Sequence, residues 1–217
     1  MSTRSPPPDP IIAIAIDRRM RRHEEAARRT MPMRREAIAL LGLRPGESVL
    51  DVACGTGASL GLLRAAVGPT GRVVGVEQST ELVERARARI IDAGWTNVTV
   101  IEASMEDLAV GEPFDAVLFS YTHDVLQSPA ALRNIFSFVK PGARVAVAGI
   151  KRPPAWLFAV TLYRRLAAWP PAPTSGLSRP WERLQQYVPD LRVLPVQFGT
   201  SYLARGRVPP ARPKSVA

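Results

Sequence analysis

A short apolar stretch that runs into a glycine turn constrains this sequence most. Residues 48–52 (Ser-Val-Leu-Asp-Val) carry branched apolar side chains without helical periodicity, which predicts a short buried β-strand. Gly55 and Gly57 follow at once, and glycine lets the backbone turn sharply and come close to a ligand. Residues 58–67 predict a helix whose free N–H groups point over the turn. This order is typical of an open α/β sheet, which binds ligands at the carboxyl ends of its strands.

The next predicted strand also ends in an acidic residue, at a distance from the glycine turn that is typical of nucleotide-binding sheets. Residues 72–77 read as the next strand and end in Glu77, 20 residues after Gly57. A carboxylate at that distance accepts hydrogen bonds from ribose hydroxyls. The dinucleotide fingerprint requires glycine or alanine where this chain has Leu60, which we expect to crowd the helix against the strand. Asp51 would repel a pyrophosphate and suits a cofactor with a cationic end.

With these residues the sequence resembles the class I S-adenosylmethionine-dependent methyltransferases. Residues 51–57 resemble the first motif of that family, and Glu77 resembles its second acidic residue. The resemblance covers residues 37–150 well and extends weakly to about 207, with Ala53 where many members have glycine. A plain strand–turn–helix with an unrelated glutamate is the alternative. The resemblance implies S-adenosylmethionine as cofactor, held by Asp51, Ala53, Gly55, Gly57, Glu77, Gln78, Ser104, Met105 and Ser120.

Two of these residues follow the predicted third strand at 98–101. Ser104 stands where family members often carry an aspartate that contacts the adenine amino group, and serine would make a weaker hydrogen bond there. Met105 is expected to cover the adenine ring.

The tip of the predicted fourth strand, after residues 114–119, holds the candidate catalytic residues His123 and Asp124. The resemblance implies that residues 120–124 overhang the transferable methyl group. Histidine is the usual general base near neutral pH, although His123 could equally orient the substrate or be structural. Asp124 could instead receive an amine or a cationic substrate. The Asn-Pro-Pro-Tyr pattern associated with methylation of nucleobase amino groups is missing from this tip.

The remaining pattern alternates strands with helices, including a helix expected over 132–139. The predicted fold is α/β with a doubly wound sheet. The resemblance implies a Rossmann-like sheet of seven strands, the last of them antiparallel. It has a helical N-terminal extension and a C-terminal insertion. The predicted units are residues 1–36 (disordered tail and lid helix), 37–150 (cofactor-binding core), 151–207 (substrate-side helices and final hairpin) and 208–217 (disordered tail). Pro32 is expected to separate a helix at 11–29 from one at 33–41. The first helix is either a lid over the substrate or a packing helix.

The uneven distribution of charge along the chain indicates which kinds of partner it could bind. The net charge is +10, distributed as +5 over residues 1–44, −4 over 45–150 and +9 over 151–217. Basic flanks suggest an anionic partner, or else a solvated surface in an arginine-rich composition. Residues 156–169 form an apolar, aromatic stretch with two arginines, which could lie on a membrane surface, wall an acceptor pocket or pack on the core.

Composition also excludes some classes of protein. One cysteine excludes an internal disulfide, and with two histidines it leaves too few ligands for the usual zinc site, so no metal is expected. The polar, proline-rich residues 1–10 do not read as a signal peptide and no apolar stretch approaches 20 residues, so the expected location is the cytoplasm.

The predicted function is methyl transfer to oxygen, nitrogen or carbon of a small-molecule or lipid-like acceptor. Contact with a membrane surface is a secondary expectation, nucleic acid is disfavoured, and the sequence does not indicate the oligomeric state. The alternatives are an RNA methyltransferase that uses its basic flanks, and a protein of the same fold that has lost turnover.

Overall fold

The computed structural model describes residues 10–152, 154 and 176–210, with side chains from residue 17 onward. The helices are α1 (Pro10–Leu41), α2 (Leu60–Val67), α3 (Thr80–Asp92), α4 (His123–Gln127) and α5 (Pro129–Ser137), with short 3₁₀ turns at Leu184–Gln186 and Gln197–Gly199. The strands are β1 (Ser48–Val52), β2 (Arg72–Glu77), β3 (Val98–Glu102), β4 (Phe114–Ser120), β5 (Val139–Ile150), β6 (Arg192–Val196) and β7 (Ser201–Arg207).

The strands form one seven-stranded sheet in the order β3-β2-β1-β4-β5-β7-β6. The first five strands are parallel, whereas β7 runs antiparallel between β5 and β6. The predicted doubly wound sheet with an antiparallel last strand is therefore confirmed. The chain order reverses on either side of β1, so the carboxyl ends of β1 and β4 flank the crevice in which such sheets bind ligands.

Two apolar layers cover the sheet because side chains alternate along each strand. On one face Val49 and Leu118 pack with α1, α2 and α3. On the other face Leu50 and Phe119 pack with α4, α5 and the segment around Leu184. With both faces covered, the free carboxyl edge of the parallel strands is where ligands can reach the sheet.

The glycine turn between β1 and α2 has the predicted shape. Gly55 and Gly57 both adopt positive φ, 58° and 74°. The crowding expected from Leu60 does not occur, because Leu60 packs against Gly75 of β2, where a Cβ would lie 3.2 Å from the leucine Cδ2. The missing side chain of Gly75 makes room for a leucine at the start of α2.

Helix α1 continues through Pro32, so the predicted break between two helices is wrong. Proline removes one helical hydrogen bond and strains the preceding turn, which costs about 3 kcal/mol. Burial downstream offsets this cost, since Met33, Ala37 and Leu41 are all in the core. In the turn before Pro32, the Thr30 hydroxyl donates to the Ala26 carbonyl at 2.8 Å. The predicted unit boundary at 36/37 falls inside this helix.

Three further predictions need correction. The expected helix at 132–139 starts at Pro129 and ends at Ser137, because the Ser128 hydroxyl accepts from Ala131 N–H at 3.1 Å and caps the start of α5. Within the predicted unit 151–207, helices were expected before the final hairpin, but residues 179–187 form turns and a 3₁₀ turn. Trp181 of this segment packs against Tyr202 with ring centroids 4.8 Å apart. The predicted tail starts too early, because Val208 N–H still donates to Ala143 O at 2.9 Å.

Other expectations fall outside the described residues. These are the disorder of residues 1–9 and 211–217 and the aromatic helix at 156–169. In the described part of the chain, no helix is both long enough and apolar enough to cross a bilayer.

Candidate functional site

A cavity of about 470 Å³ lies at the carboxyl ends of β1, β2 and β4, beneath the outer half of α1. Its volume lies within the ~300–1,000 Å³ typical of small-molecule sites. Its floor comes from the glycine turn, its sides from the loops after β2, β3 and β4, and its roof from α1. The predicted residues among its lining are Ala53, Gly55, Glu77, Gln78, Met105, Ser120 and Asp124.

Glu77 ends β2 and presents a buried carboxylate at this cavity, with 7% of the residue exposed. One oxygen accepts from Gly55 N–H at 3.1 Å, and the other accepts from the N–H groups of Gln78 and Ser79, both at 3.0 Å. These bonds hold the carboxylate in one orientation, and its remaining lone pairs can accept from a ligand's hydroxyls. Glu77 thus lies at the end of β2 as predicted, and its contact with a ribose stays a prediction.

Asp51 lies one residue before the end of β1 and is fully buried, and it does not line the cavity. Neither carboxylate oxygen has a hydrogen-bond partner among the residues described. Burial raises the pKa of Asp51 to about 7, with the charge of Glu77 acting in the same direction and the nearby Arg34 opposing it. Unpaired buried carboxylates are costly, and such groups cluster at functional sites.

Arg34 of α1 is a basic residue whose charge acts on Asp51. It lines the cavity, where its Nη1 donates to Ser59 Oγ at 3.0 Å and its Nε donates to Thr30 Oγ1 at 3.2 Å. The guanidinium carbon lies 5.5 Å from the centre of the Tyr121 ring. Desolvation lowers the pKa of Arg34, and the charge of Asp51 partly offsets this effect.

The wall after β3 carries one of the two residues expected near an adenine ring. Met105 is buried and lines the cavity together with Ala103. Ser104 is not among the lining residues, and its hydroxyl donates to the Asp107 carboxylate at 2.8 Å. A contact between Ser104 and adenine stays a prediction.

The tip of β4 supplies two buried hydroxyl groups to the cavity. Ser120 Oγ and Thr122 Oγ1 have no partner among the described residues, and both residues line the cavity. Between them Tyr121 adopts φ 62°, a left-handed conformation that costs a non-glycine residue about 1–3 kcal/mol and is concentrated at functional sites. Asp124 is exposed at the lining, whereas His123 starts α4 and is not part of the lining. The catalytic roles of both stay predictions.

The outer half of α1 roofs the site. His23, Ala27 and Thr30 line the cavity. Glu24 ties this half of the helix to α3 through an ion pair with Arg85 at 2.7 Å. Thus α1 both packs on the core, through its inner half, and covers the cavity with its outer half.

Sequence reasoning did not name Arg34 or Thr122 as site residues, whereas a covering position for the first helix was one of its two interpretations. Thr122 could have been found, because it lies inside the stretch assigned to the strand tip. Arg34 carried no local signal, since its place depends on how α1 docks.

Gly57, a predicted cofactor residue, lies outside the lining and packs instead on α2 and α3, where a Cβ would meet Leu60 at 2.8 Å. No three His, Cys, Asp or Glu side chains within the described ranges cluster closely enough to hold a metal ion.

Comparison with known proteins agrees with this geometry. A family model described as a methyltransferase domain matches residues 43–172. A curated relative from Ectopseudomonas mendocina, the ubiquinone/menaquinone biosynthesis C-methyltransferase UbiE, is 35% identical over 123 residues, which are 55% of this chain and 48% of the relative. An uncharacterised 37.1 kDa protein of a Streptomyces fradiae transposon is 38% identical over 112 residues, 49% of this chain and 31% of that protein. The chain thus spans about half the length of the curated relatives it matches, or less.

Solved structures share the fold at low sequence identity. A SAM-dependent methyltransferase from Aquifex aeolicus superposes with TM-score 0.61 at 22% identity, covering 81% of this chain and 89% of that one. The N-methyltransferase NodS of Bradyrhizobium japonicum, in complex with S-adenosyl-L-homocysteine, superposes with TM-score 0.57 at 18% identity, covering 81% and 86%. The family model spans more than half of the chain, and the sheet order, glycine turn and buried acidic strand end agree with it. The chain belongs to the class I S-adenosylmethionine-dependent methyltransferase family.

Proposed function

We propose that this chain transfers a methyl group from S-adenosylmethionine to a small, apolar or amphipathic acceptor bound beneath α1. The observation that carries the proposal is the cavity itself, in which the Glu77 carboxylate, the glycine turn and the tip of β4 meet. Such an arrangement at the carboxyl ends of parallel strands can hold a nucleoside at one end and a second molecule at the other.

The residues present fit this cofactor. The oriented carboxylate of Glu77 suits a ribose diol, and buried Met105 offers an apolar contact for a purine ring. The unpaired oxygens of Asp51 suit a nearby cation. Gly55 leaves open space above the turn, because a Cβ built there meets no atom within 4 Å.

The cofactor, when bound, supplies a methyl group on a sulfonium, which is already activated for displacement. The chain's own residues therefore chiefly have to orient an acceptor and exclude water. Ser120 and Thr122 provide two hydroxyls that can bind a polar atom of the acceptor. The roof formed by α1 limits the access of solvent.

A proton acceptor is needed for a phenol or an acidic carbon, and Asp124 and His123 are our candidates. Asp124 reaches the cavity directly, so it can accept a proton or hold an amine. His123 is the next residue back along the chain at the start of α4, and it would act on the acceptor only after a change of side-chain position.

A small-molecule acceptor is supported by the name of the relative from Ectopseudomonas mendocina, a C-methyltransferase of ubiquinone and menaquinone biosynthesis. The methyl group goes to oxygen, nitrogen or carbon of that acceptor. Methylation of a nucleobase amino group is disfavoured, because the strand tip lacks the Asn-Pro-Pro-Tyr pattern. The carboxylates of Glu106 and Asp124 at the cavity would repel a phosphate backbone, which favours a small acceptor over RNA.

The first experiment measures cofactor binding by calorimetry. We expect Glu77→Ala to weaken binding by about 1.5–3 kcal/mol, the range for hydrogen bonds to a charged group. Since Glu77 also accepts three backbone N–H groups, Glu77→Gln and a melting curve separate lost binding from lost folding. Glu112→Ala, at an exposed glutamate in the turn before β4, is the matched control. Unchanged affinity in the folded Glu77→Ala variant, or tighter binding of NADH than of S-adenosylmethionine, would reject the assignment.

The second experiment follows labelled methyl groups into a panel of phenols, amines, quinone-like acceptors and RNA. Methylation of a small acceptor supports the proposal. Methylation of RNA with salt-sensitive binding would favour the RNA methyltransferase. Cofactor binding without transfer to any acceptor would favour a protein that has lost turnover.

Peripheral contact with an anionic membrane and a location in the cytoplasm remain part of this proposal. The outer half of α1 presents exposed arginines at residues 18, 21 and 28, and each arginine near an anionic surface contributes about 1 kcal/mol. Flotation with anionic and neutral vesicles at low salt tests the contact, and binding to neither would leave α1 with its covering role alone.

A further inference from the structure

We infer that the outer corner of the sheet, formed by the hairpin of β6 and β7 and the end of β5, docks on an anionic lipid membrane and receives a lipid-like acceptor from it. We call this surface the hairpin corner. Its exposed residues are Ile150, Arg192, Leu194, Phe198, Arg205 and Arg207. The inference rests on the proposed function for the acceptor, and it places the membrane contact on the sheet instead of on α1.

Three large apolar side chains of the hairpin corner face solvent. Ile150 is 36% exposed, Leu194 61% and Phe198 81%. Leu194 lies opposite Leu203, which packs in the apolar layer beneath α1, so Leu194 continues that layer beyond its covered part. In the described part of the chain, the other large apolar side chain exposed to this degree is Ile91 of α3. Exposed apolar side chains therefore concentrate at this corner, and such patches mark interaction surfaces.

Three arginines of the hairpin corner lie beside this apolar patch. Arg192 of β6 lies directly opposite Arg205 of β7, and Arg207 follows on the same face of β7. None of the three forms an ion pair within the described ranges. Asp190 accepts from the backbone N–H of Arg207 at 2.8 Å and not from its guanidinium. Like charges directly opposite each other weaken a sheet, so an anionic partner would relieve a repulsion within this hairpin.

The hairpin corner shares one row of residues with the cavity. Ser120, which lines the cavity, pairs with Ala148 of β5. Ala148 pairs in turn with Leu203, and Leu203 pairs with Leu194. At about 4.8 Å per strand, Ser120 and Leu194 are three strands and roughly 14 Å apart on the same face of the sheet. A lipid that leaves the bilayer at this corner is therefore close to the cavity.

An anionic membrane fits this surface better than three other occupants. RNA would use the arginines and stack a base on Phe198, but the aliphatic side chains of Ile150 and Leu194 offer no ring for stacking. A second copy would bring the same arginines to the contact, in a chain whose net charge is +10. Residues 155–175 of this chain contain no aspartate or glutamate, so they bring no charge that neutralises the arginines.

The experiment titrates the full chain, without cofactor, with vesicles at low salt. One set contains phosphatidylcholine and phosphatidylglycerol in equal parts, and the other contains phosphatidylcholine alone. We expect the wild type to bind the anionic vesicles and not the neutral ones. Arg192→Gln combined with Arg205→Gln should weaken this binding about thirtyfold, at about fivefold per arginine. Phe198→Asn should weaken it about tenfold or more, because asparagine tolerates the left-handed φ of 55° but removes the ring.

Matched controls locate the contact. Ile91→Asn removes an exposed apolar side chain of α3, and Arg133→Gln removes an exposed arginine of α5, so both variants should bind vesicles like the wild type. Arg18→Gln combined with Arg28→Gln removes exposed arginines of α1. Lost binding in that variant, with wild-type binding in the variants of the hairpin corner, would move the contact to α1 and overturn the inference.

Four further results would overturn it. A wild type that binds neither kind of vesicle would exclude a membrane contact. Binding of labelled single-stranded RNA in place of vesicles, weakened by Phe198→Asn, would assign the hairpin corner to nucleic acid. A dimer in sedimentation that Phe198→Asn dissociates would assign it to a second copy. A lower urea midpoint of unfolding in Phe198→Asn would mean that the ring packs against residues 155–175.

Failure of the proposed function is a separate outcome. It would appear as no binding of S-adenosylmethionine, and it would leave the vesicle titration unchanged. Conversely, loss of vesicle binding in the variants of the hairpin corner should leave methylation of a short-chain, water-soluble acceptor at the wild-type rate.

Discussion

Replacing Asp51 with asparagine tests whether the acidic end of β1 carries a proton in the folded chain. The two side chains have nearly the same shape, so the substitution removes the titration and changes the packing little. Burial raises the pKa of Asp51 from 3.8 to about 7, and Arg34 from α1 and Glu77 from β2 are the charged groups that act on it. Between these two values the folded chain keeps a proton that the unfolded chain has lost.

The sign of the effect follows from proton counting. Where the folded state binds more protons, the free energy of unfolding falls as pH rises. The stabilisation of the folded chain by the raised pKa of Asp51 is therefore complete below about pH 4, and it is lost as the pH rises to about 7. At about 1.4 kcal/mol per pH unit, the full difference corresponds to about 4 kcal/mol. Asp51→Asn lacks this dependence.

The assay is urea unfolding of wild type and Asp51→Asn at several pH values between about pH 4.5 and about pH 7.5. The difference between the two proteins cancels every other titrating group they share. We expect the wild type to lose about 3 kcal/mol relative to the variant across that interval. Asp92→Asn, at an exposed aspartate of α3, controls for the substitution itself. A difference in the free energy of unfolding between wild type and Asp51→Asn that stays the same at every pH would refute the reasoning.

Three further predictions follow from the packing and the roof of the cavity. Gly57→Ala puts a Cβ 2.8 Å from a leucine carbon of α2 at φ 74°, so it should lower the free energy of unfolding in urea by about 2–4 kcal/mol. Gly94→Ala, at φ 63° in open space, should lower it by only about 1–2 kcal/mol. Equal losses in the two variants would mean that the contact is unimportant. Glu24→Gln removes the partly exposed ion pair that ties α1 to α3, so the free energy of unfolding should change by less than about 1 kcal/mol. Amide hydrogen exchange over residues 17–30 should become faster in this variant. The control Glu25→Gln, which breaks only an ion pair within α1, should leave that exchange rate unchanged. His123→Ala should lower turnover about 10²–10⁴-fold at unchanged cofactor affinity if His123 is a general base, and wild-type turnover in this variant would remove it from the mechanism.

Much of the cofactor half of the site was predictable, because its signals are local. A buried strand, two glycines and a carboxylate at the next strand end lie within 30 residues, and each is dictated by backbone geometry or by charge. Accordingly Gly55 adopts a positive φ, and Glu77 ends β2 at the cavity as predicted. The number of strands and the antiparallel last strand followed from the resemblance to a family rather than from periodicity, and the order of the strands became known only from the structure.

The continuity of α1 and the position of Arg34 were decided only by the tertiary structure. Pro32 predicts a break locally, yet burial of Met33, Ala37 and Leu41 on the sheet keeps α1 continuous. The contact of Arg34 with Ser59 joins residues 25 apart, and it exists only because α1 docks with that register. Neighbouring residues constrain backbone shape, whereas the meeting of distant side chains depends on how whole elements pack, and no short stretch of sequence contains that information.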